Sequence, residues 1–142
     1  MENENIFEKV KSLGLNLGEY VVISGGVLEA HGIRKAGDCD LVITEEVFER
    51  LKNDGWEVVF WNDKFILTKN AFEAARDCNY KNYLPDTKKL ILEADIINGC
   101  AFANIEETLK FKNELGREKD KKDVKLIEEY LKNNPTEHRN QL

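Results

Sequence analysis

The sequence contains few of the residues from which disulfide frameworks and zinc sites are built. Its 142 residues include three cysteines, Cys39, Cys78 and Cys100, which are far apart and form no CxxC pair. The two histidines are His31 and His138. An odd number of scattered cysteines argues against a disulfide framework, and so few Cys and His residues argue against a tetrahedral zinc site. A domain of this size can fold on its hydrophobic core alone.

Long apolar runs and an excess of basic residues are also absent. No stretch approaches the ~20 apolar residues that span a bilayer, and residues 1–5 lack the basic and apolar regions of a secretory signal. We therefore expect a cytoplasmic protein with no membrane partner. Lys and Arg number 21 against 27 Asp and Glu, a formal net charge of −6. This balance disfavours non-specific binding to a long nucleic-acid backbone but allows a small, locally basic pocket.

The spacing of apolar residues and chain breakers predicts a single domain of α/β (α+β) class over residues 1–142. The predicted helices cover residues 6–13, 27–31, 45–54, 105–115 and 120–132. The predicted strands cover residues 20–23, 41–43 and 90–97, together with a hairpin formed by residues 56–61 and 65–68. This order predicts one mixed β-sheet with flanking helices.

Three stretches have weaker patterns. Residues 70–82 are ambiguous, with the helical character of an alanine-rich segment in residues 71–76. For residues 90–97 a helix is the alternative to the extended strand. The polar residues 134–142 predict a frayed tail. The chain has no internal repeat and no low-complexity segment.

Two aspartates precede the predicted strand 41–43. Asp38 and Asp40 are two positions apart, and on an extended chain such residues point to the same face. Two carboxylates that close repel each other unless something neutralises them. Oxygen ligands suit Mg²⁺, which also accepts substrate phosphates as ligands. The alternative is that Asp38 and Asp40 are solvated acids that cap a turn.

A pair of glycines follows the first predicted strand. Gly25 and Gly26 open a predicted helix, where a backbone without side chains can approach a phosphate and the helix N-terminus favours negative charge. Eleven residues separate Gly26 from Asp38. A phosphate site and a metal-binding acid pair can therefore lie on neighbouring strand ends. Taken alone, a Gly-Gly pair is most often a simple turn.

Together these residues resemble a known motif. The sequence Ser24-Gly25-Gly26, followed by Asp38-Cys39-Asp40 and an apolar strand, is similar to the core motif of the DNA polymerase beta-type nucleotidyltransferase superfamily. The resemblance implies a minimal nucleotidyltransferase-like fold and Mg²⁺-dependent transfer of a nucleoside monophosphate from an NTP, such as ATP, to an acceptor hydroxyl. It implies that Asp38 and Asp40 bind two Mg²⁺ ions and that Ser24, Gly25 and Gly26 bind the nucleotide phosphates.

Enzymes of this superfamily have a third carboxylate on a later strand. Asp95 is the candidate here, as a metal ligand and general base, because it is an acid within an apolar run. A buried carboxylate needs a partner. Glu93 is the rival, since it shares the face of Asp95 in a strand. The alternative is that Asp95 lies at a strand end or on a helix surface.

A second stretch, residues 109–124, is similar to the Lys...Gly-Arg-x-Lys-Asp-x-x-Asp signature of toxin-type and abortive-infection nucleotidyltransferases. Lys112 lies on the apolar stripe of the predicted helix 105–115, where an anionic triphosphate would account for a cation. The alternative is a lysine whose amine reaches solvent at the rim of the core. Arg117 and Lys119 are further candidates for binding the triphosphate.

The two aspartates of this signature allow two interpretations. Asp120 and Asp123 either belong to the site or act as the N-cap and N3 acid of the last helix.

Two other functions stay open at this point. One is a catalytically inactive nucleotidyltransferase-like domain that binds a protein partner, as in toxin–antitoxin pairs. The other is a plain α/β binding module in which Asp38 and Asp40 cap a turn. The sequence does not determine the acceptor, which can be a small molecule, a protein side chain or an RNA end. It also leaves the choice of NTP and the oligomeric state undetermined.

Overall fold

A seven-stranded mixed sheet organises the fold. The computed structural model describes residues 4–135. In this range the helices are α1 (Ile6–Lys11), α2 (Gly25–Ala30), α3 (Glu45–Asn53), α4 (Thr87–Leu92), α5 (Ile105–Leu115) and α6 (Glu118–Asn133). The strands are β1 (Tyr20–Ile23), β2 (Cys39–Ile43), β3 (Glu57–Trp61), β4 (Lys64–Lys69), β5 (Phe72–Ala75), β6 (Asp95–Ile97) and β7 (Cys100–Phe102). They form one sheet in the order β3-β4-β5-β2-β1-β7-β6.

The middle of the sheet is the centre of the hydrophobic core. Every residue of β1 is buried, and β2 is buried except at Asp40. The two strands pair antiparallel, with Ile23 opposite Asp40. Burial of both faces explains why these strands are continuous apolar runs rather than alternating ones. A partly buried carboxylate at the start of β2 therefore stands out from its surroundings.

Two helices begin and end as their capping residues predict. The side chain of Thr44 accepts a hydrogen bond from the backbone N–H of Val47 at the start of α3. The side chain of Asn104 accepts one from the N–H of Glu107 at the start of α5. Gly116 ends α5 in the left-handed conformation that glycine adopts readily. The predicted mixed sheet with flanking helices is confirmed.

Two segments differ from the sequence prediction. Residues 71–76 are not helical, because Phe72–Ala75 pairs as a strand with both β2 and β4. The small side chain of Ala74 is 1% exposed between these neighbours, so tertiary packing overrides helix propensity. Residues 90–97 are not one strand, because helix α4 occupies Thr87–Leu92 and only Asp95–Ile97 is extended. Strand β7, which pairs with β6, was not predicted.

The last helix begins two residues earlier than predicted and ends at Asn133. Most of the tail predicted for residues 134–142 lies outside the described residues. Among residues 4–135, no helix is long and apolar enough to cross a lipid bilayer.

Candidate functional site

A pocket of about 430 Å³ opens on one face of the sheet, where helices α5 and α6 approach strands β1, β2 and β5. It brings together eight of the residues singled out from the sequence: Ser24, Gly25, Asp38, Asp40, Lys112, Arg117, Lys119 and Asp123. These residues come from two stretches about 70 positions apart in the chain. The same pocket is also lined by Arg34 and Glu73, which sequence reasoning did not single out.

The acidic side of the pocket contains a third carboxylate, from β5. Strands β2 and β5 pair in parallel, and their register places Glu73 beside Asp40. Paired residues on neighbouring strands project from the same face, and Asp38 lies in the bend that directly precedes β2. Asp38, Asp40 and Glu73 all line the pocket. The sequence signal for Glu73 is an acid in the short run Phe72–Ala75, and it becomes visible only once that run is recognised as a strand.

The charge of Asp40 is poorly compensated. The pKa of Asp40 is raised to about 6, mainly by burial and then by the negative charges of Glu73 and Asp38. The positive charges of Lys112 and Lys119 offset part of this increase. Mutual repulsion among carboxylates in one place is the situation that a divalent cation relieves. The three oxygen-donor side chains are also the ligand type that Mg²⁺ prefers. In the chemical type of its donor atoms, this set therefore suits the metal implied by the sequence resemblance.

The three carboxylates do not form a closed cage. Within residues 4–135, no group of three or more His, Cys, Asp or Glu side chains is gathered closely enough to hold a metal ion. Asp38 and Glu73 are exposed, whereas Asp40 is partly buried. An ion bound here must therefore draw the two exposed carboxylates toward Asp40. Cys39, between the aspartates, is fully buried, and burial raises the pKa of its thiol to about 12.

Asp95 does not belong to this site, so the prediction that it joins Asp38 and Asp40 is wrong. It lies on β6 at the far edge of the sheet, with β1 and β7 between it and β2. Three strand spacings put it about 14 Å away. It also projects from the opposite face of the sheet. Asp95 pairs with Phe102, and Phe102 pairs with Val22, so these three side chains share one face. Asp40 pairs with Ile23, which follows Val22 directly in β1 and therefore points to the other face.

The rival third acid is not in the pocket either. Glu93 is the C-cap residue of α4 and lines a separate pocket.

The phosphate-binding residues predicted from the glycine motif have different surroundings. Ser24 is 7% exposed and has φ 63° and ψ −131°, a conformation that costs a residue with a side chain about 1–3 kcal/mol and is typical of functional sites. Gly25 lies against Arg34, whose Nη2 atom would be 3.4 Å from an added Cβ. A methyl group at position 25 would make ordinary van der Waals contact with this arginine.

Gly26 serves packing rather than the pocket, because it is buried and does not line the site. An added Cβ would lie 2.5 Å from Cγ1 of Val22 and 3.3 Å from Cδ1 of Ile6. Gly26 therefore allows α2 to pack closely on β1 and α1. Its predicted contact with phosphate is not supported by this placement.

A chain of alternating charges forms the opposite side of the pocket. Lys112 is 3% exposed, and its Nζ lies 3.0 Å from Oδ2 of Asp123 and 3.4 Å from Oδ1 of Asp120. Its position on the apolar stripe is thus explained by these two aspartates, and its amine does not reach solvent. Arg117 bonds Asp120 through Nε and Nη2, at 2.6 and 3.1 Å.

Arg34 occupies the other end of this charged chain. Its Nε and Nη2 atoms donate to the two carboxylate oxygens of Asp123, each at 2.7 Å. Burial opposes ionisation of Asp123, but the hydrogen bonds from Arg34 and Lys112 outweigh it and hold its pKa below the ordinary value. Three cations share two carboxylates, so the chain carries one net positive charge. Its two ends are the accessible ones, because Arg34 is 33% and Arg117 50% exposed at the side chain.

Asp120 and Asp123 have different roles in the structure. Asp120 is the N3 residue of α6 and accepts a hydrogen bond from the backbone N–H of Arg117, which is the N-cap. Asp123 lies further along the helix and pairs with Arg34 and Lys112. Lys119 lines the pocket, is exposed, and has no ion-pair partner within residues 4–135. Arg117 and Lys119, together with Arg34, are therefore the cations available to a ligand.

Comparisons with protein-family models, with curated proteins and with solved structures each found no match.

Proposed function

We propose that the protein is an Mg²⁺-dependent nucleotidyltransferase that transfers a nucleoside monophosphate from an NTP to an acceptor hydroxyl. The observation that carries the proposal is the opposition of two charged sides across one pocket. Asp38, Asp40 and Glu73 line one side. Arg34, Arg117 and Lys119 present positive charge on the other. A metal-bound polyphosphate carries the complementary charge pattern.

Each part of this site has a distinct task. Asp38, Asp40 and Glu73 would hold Mg²⁺, which supplies neutralising charge at the attacking and leaving oxygens of the displacement. Arg34, beside Gly25, would bind the β- and γ-phosphates and stabilise the charge that develops on the leaving pyrophosphate. Lys112 is saturated by Asp120 and Asp123, so it positions these acids and, through Asp123, the guanidinium of Arg34.

The proposed reaction exchanges one bond at the α-phosphorus for another. The acceptor oxygen forms a bond to the α-phosphorus, and the bond from that phosphorus to the bridging oxygen of the β-phosphate breaks. Pyrophosphate leaves toward Arg34. The hydroxyl proton passes to Glu73, the carboxylate on the side of Asp40 away from Gly25, which acts as general base.

Calorimetry with a non-hydrolysable ATP analogue, bridged by a methylene between its α- and β-phosphates, tests this proposal. We expect binding that requires Mg²⁺, that is lost in Asp38→Ala/Asp40→Ala, and that weakens at least tenfold in Glu73→Gln. Asp95→Asn is the matched control, because this acid lies on the far edge and opposite face of the sheet. Absence of Mg²⁺-dependent affinity in the wild-type protein refutes the enzyme proposal.

A partner-binding module is the second candidate. The observation in its favour is an apolar patch on the β3–β4 hairpin, where Val58, Phe60 and Phe65 are 43%, 61% and 51% exposed. Exposed apolar patches are typical of interaction sites. The two candidates differ in the calorimetry, since a module with no activity does not require Mg²⁺-dependent nucleotide affinity.

A further inference from the structure

The pocket extends beyond the three carboxylates toward strands β4 and β3. Glu73 is paired with Thr68 on β4, so Ile66 and Lys64 project from the same face as Glu73. Lys64 is in turn paired with Trp61 on β3. Trp61, Lys64 and Ile66 all line the pocket. The site therefore has a second end, which the proposed roles of the carboxylates and cations do not use.

This second end presents an aromatic surface. The side chain of Trp61 is 52% exposed, whereas Trp56, the other tryptophan, is 6% exposed in the core. Ile66 forms an apolar floor nearby and is 7% exposed. Tyr80 also lines the pocket. A half-exposed indole in a pocket offers a flat surface for a ring, because aromatic faces bind stacked groups and cations.

The charges at this end do not favour a phosphate. Nζ of Lys64 lies 2.8 Å from Oδ1 of Asp77 and 3.0 Å from its carbonyl oxygen, so this lysine is already neutralised. Glu73 adds one negative charge. The side-chain oxygen of Asn79, also in the pocket wall, is buried and has no hydrogen-bond partner within the described part of the chain. With Lys64 neutralised and Glu73 negative, this end favours a neutral or cationic group over a phosphate.

The direction of the reaction determines which substrate occupies this end. The strands follow one another across the sheet in the order β1, β2, β5, β4 and β3. Gly25 follows the end of β1, and Trp61 lies on β3 at the other side. Asp40 on β2, Glu73 on β5 and Ile66 on β4 lie between them. In an in-line displacement the attacking and leaving oxygens lie on opposite sides of the phosphorus. If pyrophosphate leaves toward Gly25 and Arg34, the acceptor approaches from the side of β4 and β3. This step rests on the proposed function.

We propose that the β3–β4 end of the pocket is the acceptor subsite, and that the acceptor is a small, uncharged or cationic, hydroxyl-bearing ring compound that stacks on Trp61. The strand spacings set its size. Trp61 lies three strands from Asp40, about 14 Å across, and four residues further along, about 13 Å. These two offsets combine to about 19 Å between the backbone positions, so the acceptor has to be an elongated compound rather than a single small ring.

The experiment uses the full chain, [α-³²P]ATP, Mg²⁺ and five acceptor probes. The probes are a neutral disaccharide, an amino-substituted disaccharide, an aromatic alcohol, a serine-containing peptide and a short single-stranded RNA. We expect label on one or more of the three ring compounds. Trp61→Ala should raise the KM for that compound at least tenfold, and Trp61→Phe should recover most of the loss.

Two further measurements separate the outcomes. The Kd of the non-hydrolysable nucleotide should change less than twofold in Trp61→Ala. Phe60→Ala is the matched control, since Phe60 neighbours Trp61 on β3, is 61% exposed and projects from the opposite face. Its acceptor KM should equal that of the wild type.

Several results overturn the inference while leaving the proposed function intact. These are preferential labelling of the RNA or the peptide, a loss of nucleotide affinity in Trp61→Ala, or Mg²⁺-dependent nucleotide binding without labelling of any ring compound. Absence of Mg²⁺-dependent nucleotide binding, by contrast, refutes the proposed function itself.

Discussion

Replacing Asp40 with asparagine is expected to stabilise the protein while removing a ligand of the proposed metal site. Burial and the neighbouring charges of Glu73 and Asp38 raise the pKa of Asp40 from an ordinary 3.8 to about 6. At about 1.36 kcal/mol per pKa unit, the charged form is disfavoured in the folded state by about 3 kcal/mol. Asparagine keeps the shape of the side chain and removes the charge, so Asp40→Asn should gain up to about 3 kcal/mol above pH 7.

The sign of the pH dependence follows from the raised pKa. Between about pH 4 and 6 the folded state retains a proton that the unfolded state has lost, so wild-type stability decreases as pH rises through this window. Above pH 6 the penalty is complete. Asp40→Asn lacks this titration, and the two proteins should approach equal stability near pH 4.

Urea unfolding at pH 4.5 and pH 8, each with and without 10 mM Mg²⁺, measures both effects. We expect the variant to be more stable than the wild type by up to about 3 kcal/mol at pH 8 without metal, and by only about 1 kcal/mol at pH 4.5. If the proposed site binds Mg²⁺, the ion should stabilise the wild type at pH 8 and leave the variant unchanged, because the variant lacks the Asp40 carboxylate. A variant that is less stable at pH 8 without metal would refute the reasoning, since the carboxylate would then be favourably bound by the protein itself.

Three other substitutions test the surroundings of the site, each by urea unfolding. Ser24→Gly should raise stability by about 1 kcal/mol, since glycine adopts the positive φ of this position without strain; a loss of stability would contradict this. Gly26→Ala should cost about 1–3 kcal/mol, because its Cβ would meet Cγ1 of Val22 at 2.5 Å; a neutral result would show that α2 shifts freely. Asp123→Ala should cost about 3–5 kcal/mol, because it leaves the buried Lys112 with one carboxylate in place of two; a cost below about 1 kcal/mol would show that Asp120 alone suffices.

The parts of the fold that depend on local sequence were predicted well. Strands β1 and β2 are apolar runs bounded by breakers, and α3 and α5 begin at the side chains of Thr44 and Asn104. These signals act over a few residues, so the sequence contains them directly. Asp38 and Asp40 line one pocket for the same reason, since they are two positions apart.

The parts that depend on long-range pairing were not predicted. Glu73 reaches the site only because β5 pairs in parallel with β2, a contact that no local pattern in the alanine-rich segment indicates. Asp95 had the more suggestive local sequence, yet its strand pairs at the other edge of the sheet. Arg34 gains its position from Asp123, 89 residues away in the chain.

The central claim is tested most directly by comparing two radioactive forms of ATP. The full chain is incubated with Mg²⁺, the acceptor probes and either [α-³²P]ATP or [γ-³²P]ATP, and the products are separated and identified by mass spectrometry. Transfer of a nucleoside monophosphate puts the α label on the acceptor and the γ label in pyrophosphate, and both signals should disappear in Asp38→Ala/Asp40→Ala. Transfer of the γ label to the acceptor, or release of neither label together with no Mg²⁺-dependent nucleotide affinity, would contradict the account.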